Sequence, residues 1–165
     1  MTREWRTGGT VALDVDAAPE QVYAIVSDVT RIGERSPECR SAEWLEGSAP
    51  GAVGARFRGR NRCGAVAWSR TCEVLEATPG MSFAFRTLPE RDPSRRDSTT
   101  WAYRLRPKGT GTEVTHSYEI TVLPLPLFRS LYGVLLPQHR DMRPQMLLSL
   151  ENLKATLESE RSTVA

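Results

Sequence analysis

The stretch Ala55-Arg56-Phe57-Arg58-Gly59-Arg60-Asn61-Arg62-Cys63 places arginine at every second position. Successive side chains of a β-strand point to opposite faces, so this spacing predicts a strand with Arg56, Arg58, Arg60 and Arg62 on a wet face. The covered face then holds Phe57, Gly59, Asn61 and Cys63. A solid core would repeat Val, Ile or Leu there. An aromatic, a glycine and an amide together suit the wall of a cavity, because glycine leaves room and a buried amide needs hydrogen-bond partners.

Working outward, four more runs read as strands: Val66 to Leu75, Met81 to Leu88, Ser98 to Arg106 and Thr112 to Val122. Thr78-Pro79-Gly80 and Pro107-Lys-Gly-Thr-Gly111 are turn chemistry that joins antiparallel neighbours. On the N-terminal side, Thr10 to Asp16 and Cys39 to Glu46 add two strands, with Trp44 on the second. Ala18-Pro19-Glu20 opens a short helix between them, Pro19 at the first helical position and Glu20 at the positive end of the dipole. Asp28 to Glu34 forms a second helical turn that Ser36-Pro37 ends. Gly47 to Gly54 reads as a flexible connector, and Pro89 to Asp97, carrying Arg91, Arg95 and Arg96, as a solvated loop.

The last third changes period. Phe128, Tyr132, Leu135, His139, Met142, Met146, Leu150, Leu153 and Leu157 recur at spacings of three and four, a helical stripe. Pro137 and Pro144 should kink or break it, leaving a shorter helix before Pro137 and a long one ending near Glu158. About seven antiparallel strands with one long helix make an α+β fold whose apolar sheet face must close on that helix, and a pocket between curved sheet and helix follows.

The 165 residues are 39% hydrophobic with a net charge of +2, which fits one domain, residues 1–165, with its core over about 8–158. The near balance of charge argues against a polyanionic partner, so no nucleic acid is expected even though arginines two apart on a strand lie ~7 Å from each other, within reach of successive phosphates. No apolar run approaches the ~20 residues that span a bilayer, and Met1 to Thr10 is polar, so a cytoplasmic protein without an integral membrane segment is expected. Cys39, Cys63 and Cys72 lack any Cys-x-x-Cys spacing and read as reduced structural thiols; no metal and no cofactor is expected. Gly-x-Gly-x-x-Gly, Walker, His-Glu-x-x-His and Gly-x-Ser-x-Gly motifs are absent. Monomer and homodimer both stay open.

This order of elements resembles the helix-grip fold of START domains, the birch-pollen-allergen group and bacterial polyketide cyclase/dehydrase-like proteins. The strings Ala-Pro-Glu-Gln-Val-Tyr-Ala-Ile-Val-Ser-Asp, Arg-Ile-Gly-Glu-Arg-Ser-Pro-Glu-Cys, Gly-Ala-Arg-Phe-Arg-Gly-Arg-Asn-Arg and Ser-Leu-Glu-Asn-Leu-Lys carry the resemblance to a bacterial, lipid-transport-like branch. It implies a seven-stranded sheet gripping the C-terminal helix, and a cavity entered near the Gly47 to Gly54 loop and the start of the long helix. It implies no universal catalytic motif.

Alternation supplies the candidate ligand contacts. Phe57, Gly59 and Asn61 share one strand face; Trp68 and Arg70 turn inward on the next; Phe83 and Phe85, Trp101 and Tyr103, and His116 and Tyr118 follow on the others. Tyr132, Leu135, His139, Met142 and Met146 face them from the helical stripe. At Asn61 a structural amide and an anchor for a ligand carbonyl or hydroxyl are equally open. An inward Arg70 must be paired, either by an internal Asp or Glu, the simpler reading, or by a ligand carboxylate, phenolate or carbonyl. His116 is a candidate general base or donor, and His139 a candidate partner for it across the cavity. Three functions remain: a binder of a hydrophobic small molecule such as a lipid, polyketide or quinone; a polyketide aromatase/cyclase using Arg70, His116 and Tyr118; and a protein-interaction module that would use the arginine face.

Overall fold

The computed structural model describes residues 4–164; Met1–Arg3 and Ala165, part of the expected domain and of the polar N-terminal stretch, lie outside the described residues. The chain runs β1 (Gly8–Val15), α1 (Pro19–Ser27), a 3-10 helix (Val29–Glu34), β2 (Cys39–Trp44), β3 (Arg56–Cys63), β4 (Val66–Thr78), β5 (Ser82–Thr87), β6 (Ser98–Lys108), β7 (Gly111–Val122), α2 (Pro126–Leu135), a 3-10 turn (Pro137–Arg140) and α3 (Arg143–Val164). The strands form one antiparallel, curved sheet in the order β1-β7-β6-β5-β4-β3-β2, wrapped around the C-terminal helix. It is the helix-grip architecture.

Local chemistry explains the element ends. Pro19 starts α1, where its missing N–H costs nothing, and the Gln21 side chain accepts from the Ala18 N–H (3.0 Å). At the far end of α1 the buried Arg35 guanidinium donates to the carbonyls of Ile25 and Val26, both at 3.1 Å, two of the acceptors that a helix terminus leaves unpaired. The β4–β5 hairpin turns at Pro79-Gly80, where Gly80 takes a φ of +69° that an L side chain disfavours.

The core is the contact of sheet with helices. Val22, Ile25 and Val26 of α1 and Leu150, Leu153 and Leu157 of α3 pack with Phe57, Val74, Phe83, Leu105 and Val114 of the sheet. Truncating a fully buried leucine such as Leu150 or Leu153 to Ala costs about 2–5 kcal/mol. The β4 strand runs three residues past the expected Leu75, because a bulge between Val74 and Glu76 lets pairing with β5 continue while Leu75 turns to solvent.

Two expectations about the C-terminal third change. Pro144 neither kinks nor breaks a helix; it lies in the first turn of α3, where no donor is required, and α3 continues past Glu158 to Val164. Pro137 does end α2, and this resets the phase of the stripe. Leu136 takes the buried place and Leu135 is nearly half exposed.

The arginine face of β3 is solvated and largely neutralised by its neighbours. Arg56 meets Glu73 (3.2 Å), Arg60 meets Glu43 (2.6 Å) and Arg58 lies near Glu90 (3.8 Å) while donating to Thr71 Oγ1. Such cross-strand pairs on an exposed face contribute little individually but cancel the local field.

Candidate functional site

Between the inner face of the sheet and the segments 36–39 and 138–149 lies a cavity of about 200 Å³. One wall is aromatic. Residues at alternate positions of β6 and opposite positions of β7 bring Trp101, Tyr103 and His116 to the same face, since Tyr103 pairs with His116 and Trp101 with Tyr118 in the ladder. The Tyr103 and His116 rings stack face to face, 4.0 Å apart and 4° from parallel, and Trp101 stacks beside His116 at 5.9 Å and 27°. Phe85 and Phe57 meet edge to face at 5.3 Å and continue the wall toward β3.

Gly59 is what keeps the cavity open beside β3. A Cβ there would lie 3.3 Å from Cys39 Sγ, and any larger side chain would project into the space. Asn61, one pleat further, faces the same space, and among the described residues its side-chain amide makes no hydrogen bond. Burial holds the two thiols in this wall, Cys39 and Cys72, in the protonated form, pushed up to about 11 and about 12.

His116 is enclosed and neutral. Burial pulls its pKa down to about 4, against a weaker opposing effect of its bond to the Ala102 carbonyl, with the Arg35 charge pulling further down. The Nδ1 to Ala102 O distance is 3.1 Å. A carbonyl only accepts, so Nδ1 carries the ring proton and Nε2 is left as a lone-pair acceptor with no partner among the described residues. His116 is therefore an acceptor toward the cavity at neutral pH, and its donor is already used.

The rim is polar, and sequence reasoning missed most of it. Glu38, from the short segment between the 3-10 helix and β2, receives a hydrogen bond from His139 Nε2 (2.9 and 3.1 Å to the two oxygens) and from Gln138 Nε2 (2.7 Å). Burial is the largest single influence on the Glu38 carboxyl and pushes its pKa up, but the bonds and charge of His139 with the Gln138 bond outweigh it and hold it below the ordinary 4.5. Gln138 also donates to Cys63 Sγ (3.1 Å), and Trp68 packs edge-on against His139 at 5.7 Å. This cluster ties the α2–α3 linker to the end of β3. Gln145 and Ser149 of α3 complete the polar lining. Polar residues at i and i+4 inside an otherwise apolar helical face were the readable signal for these two; nothing local marked Glu38.

The structure gathers Phe57, Gly59, Asn61, Trp68, Arg70, Phe85, Trp101, Tyr103, His116, His139, Met142 and Met146 around this cavity. It does not gather the other four. Phe83 is wholly enclosed in the core. Tyr118 is buried in a separate cluster with Ile120 and Met146, its hydroxyl donating to the Arg6 carbonyl (3.3 Å), so it points no proton at a ligand here. Tyr132 lines a second, smaller cavity of about 110 Å³ under α2, and Leu135 is exposed through the phase reset at Pro137.

Arg70 takes the internal pairing. Its Nη1 donates to both Asp97 carboxylate oxygens (3.0 and 2.9 Å), and its Nη2 to the Leu88 and Asp97 carbonyls (3.2 and 2.7 Å). The guanidinium fastens the 88–97 loop to β4 instead of standing free for a ligand anion. The two histidines do not pair with each other: His116 is bonded to Ala102 and His139 to Glu38. The 47–54 connector is not part of the cavity either. It joins β3 at Arg56, and the cavity rim gathers at the Asn61 and Cys63 end, about 20 Å along an extended strand.

A family model described as polyketide cyclase / dehydrase and lipid transport matches residues 7–158. No curated protein matches the chain. Among solved structures, TTHA0849 from Thermus thermophilus is similar at 19% identity and a TM-score of 0.70, covering 93% of this chain and 98% of that one. Protein MLL2253 from Mesorhizobium loti is similar at 21% identity and a TM-score of 0.64, over 92% and 97%. The di-domain ARO/CYC StfQ from the steffimycin biosynthetic pathway is similar at 15% identity and a TM-score of 0.71, covering 98% of this chain and 53% of that one.

Proposed function

Because the chain belongs to the polyketide cyclase / dehydrase and lipid transport family, we propose that its cavity binds a hydrophobic small molecule, and that the ligand is a planar ring system of the polyketide or quinone kind in preference to an acyl chain. The observation that carries this reading is the aromatic wall of Trp101, His116 and Tyr103, in which Tyr103 and His116 stack on each other and the half-buried Trp101 stacks beside them, with two unused polar groups next to it. A fused or aromatic ring meets such a wall edge to face, or offset on the half-buried Trp101, with a gain of about 0.5–1.5 kcal/mol per ring pair beyond burial alone, whereas an acyl chain gains only the burial. Asn61 supports recognition of a ring carbonyl or hydroxyl, and the His116 Nε2 lone pair supports recognition of a ligand O–H.

The aromatase/cyclase reading keeps one specific support. A carboxylate and an imidazole, Glu38 and His139, share a proton-bearing contact at the rim of the same cavity, and proton transfer at an enolisable chain needs a pair of that type. In this reading Arg70 is a positioning residue and Tyr118 contributes to packing. Holding a flexible chain against the aromatic wall would supply much of any rate gain through proximity.

Native mass spectrometry of protein purified gently from its own host, set against the denatured mass, tests the binding reading. A discrete added mass with the composition of an aromatic polyketide or quinone is expected. Quenching of the cavity tryptophans by added anthraquinone, with no competition from oleate, is the matching result in solution. Oleate binding with anthraquinone excluded would refute the ring preference.

A further inference from the structure

α2 wears its apolar face outward. Leu127, Leu131 and Val134 fall at i, i+4 and i+7 with Leu135 beside them, and Leu127 and Val134 are 74% and 75% exposed. Val122, Leu123 and Leu125 extend the same surface into the preceding segment, so seven of the twelve large apolar side chains exposed among the described residues lie within residues 122–135. The inner side of the helix holds Gly133 and the Tyr132 ring, and the Tyr132 hydroxyl donates to the Ser94 carbonyl (2.5 Å), seating the 88–97 loop against α2.

On α2 and the segment before it, charge has one sign. No Asp or Glu occurs between Glu119 and Asp141. Arg129 lies on α2, and Arg91 and Arg96 are exposed on the loop that Tyr132 holds beside it. Among the described residues none of these three guanidiniums has a carboxylate partner; the loop's own Glu90 and Asp92 are engaged by Arg95. Elsewhere on the molecule the arginines of β3 to β6 are mostly paired across strands.

An outward leucine face on a helix without carboxylates, framed by unpaired arginines and with the one exposed acid of the adjoining loop, Asp92, beside Arg95, is the pattern of a helix that lies in a lipid–water interface, where apolar side chains enter the acyl boundary and cations meet phosphate headgroups. We propose that α2, with its preceding segment and the Arg91 to Arg96 loop, is a docking surface for an anionic phospholipid bilayer. The second cavity opens directly beneath it, lined by Pro124, Tyr132 and Leu136 and sharing Trp68, His139 and Met142 with the first. Docking would set the pair of cavities against the membrane, and it requires neither cavity to be occupied.

Flotation of the full chain with vesicles tests this, comparing phosphatidylcholine alone with phosphatidylcholine containing phosphatidylglycerol, at low and high salt. Wild type floats with the anionic vesicles and is released by salt. Leu127→Asp with Val134→Asp lowers binding at least about tenfold, because each leucine- or valine-sized burial lost is worth that much. Arg129→Glu lowers the preference for anionic vesicles by about fivefold or more. Both positions of the double variant are exposed, so its thermal unfolding should match wild type, and Leu125→Glu gives an independent variant of the same surface. Failure of wild type to float with anionic vesicles overturns the proposal, as does undiminished flotation of both apolar-face variants. A vesicle-free dimer seen by analytical ultracentrifugation and abolished by the same variants also overturns it, by assigning the face to a second copy.

Discussion

Removing the carboxylate of Asp97 should damage the protein more than removing the ion pair altogether. In Asp97→Ala the Arg70 Nη1 loses two charge-assisted contacts, at 3.0 and 2.9 Å, while Nη2 keeps the Leu88 carbonyl and the backbone carbonyl of residue 97. The side chains are only 11% and 16% exposed, so water does not replace what is lost, and Nε is already buried without a partner. At about 1.5 kcal/mol for each contact to a charged group, the variant should lose about 3 kcal/mol. For a chain of this length that is a fall of about 6–12 °C in Tm. Arg70→Met combined with Asp97→Ala removes the stranded charge and fills the space with an apolar side chain, and it should recover at least half of the loss. Thermal and urea unfolding of the wild type, both single variants and the double variant completes the cycle. A loss below about 1 kcal/mol in Asp97→Ala, or a double variant no more stable than that single one, would refute the assignment of Arg70 to loop fastening.

Three further outcomes follow from the cavity. Gly59→Trp should keep the fold by circular dichroism and lose ring-ligand uptake in the quenching assay, because its side chain enters the space that Gly59 leaves free beside Cys39; normal uptake would place the ligand elsewhere. His116 is held neutral down to about pH 4, but the unfolded chain protonates near 6.5, so stability is full above 6.5 and falls as pH drops toward 4, by a few kcal/mol in all. Unfolding of His116→Phe followed across that window should show a shallower acid limb than wild type. Glu38→Ala removes the acceptor for His139 and Gln138, so amide hydrogen exchange should quicken in residues 137–142 and bound ligand should leave several-fold faster; unchanged exchange there would show that the rim is not held by Glu38.

Much of this molecule was legible in local pattern. Period-two alternation identified β3 and the inward places of Phe57, Gly59, Asn61, Trp101, Tyr103 and His116, because a pleated strand has only two faces and its ladder partners repeat that choice. Period three to four identified α3, and Pro-Gly chemistry the β4–β5 turn. The sequence even narrowed Arg70 to an internal acid or a ligand, since a buried guanidinium cannot stay unpaired.

What tertiary structure alone decided were pairings between segments distant in the chain. Asp97 as the partner of Arg70 and Glu38 as the partner of His139, a contact spanning 101 residues, depend on how loops close over the sheet, and loop closure leaves no periodic trace. Leu135 and Tyr118 were misplaced for the same reason in two forms. A proline changed the helical phase between Leu135 and His139, and Tyr118 obeyed its strand face but lies past the cavity's end, beside Arg6. Alternation tells a side chain which way to point, while the position of the helix it points toward is a property of the packed whole.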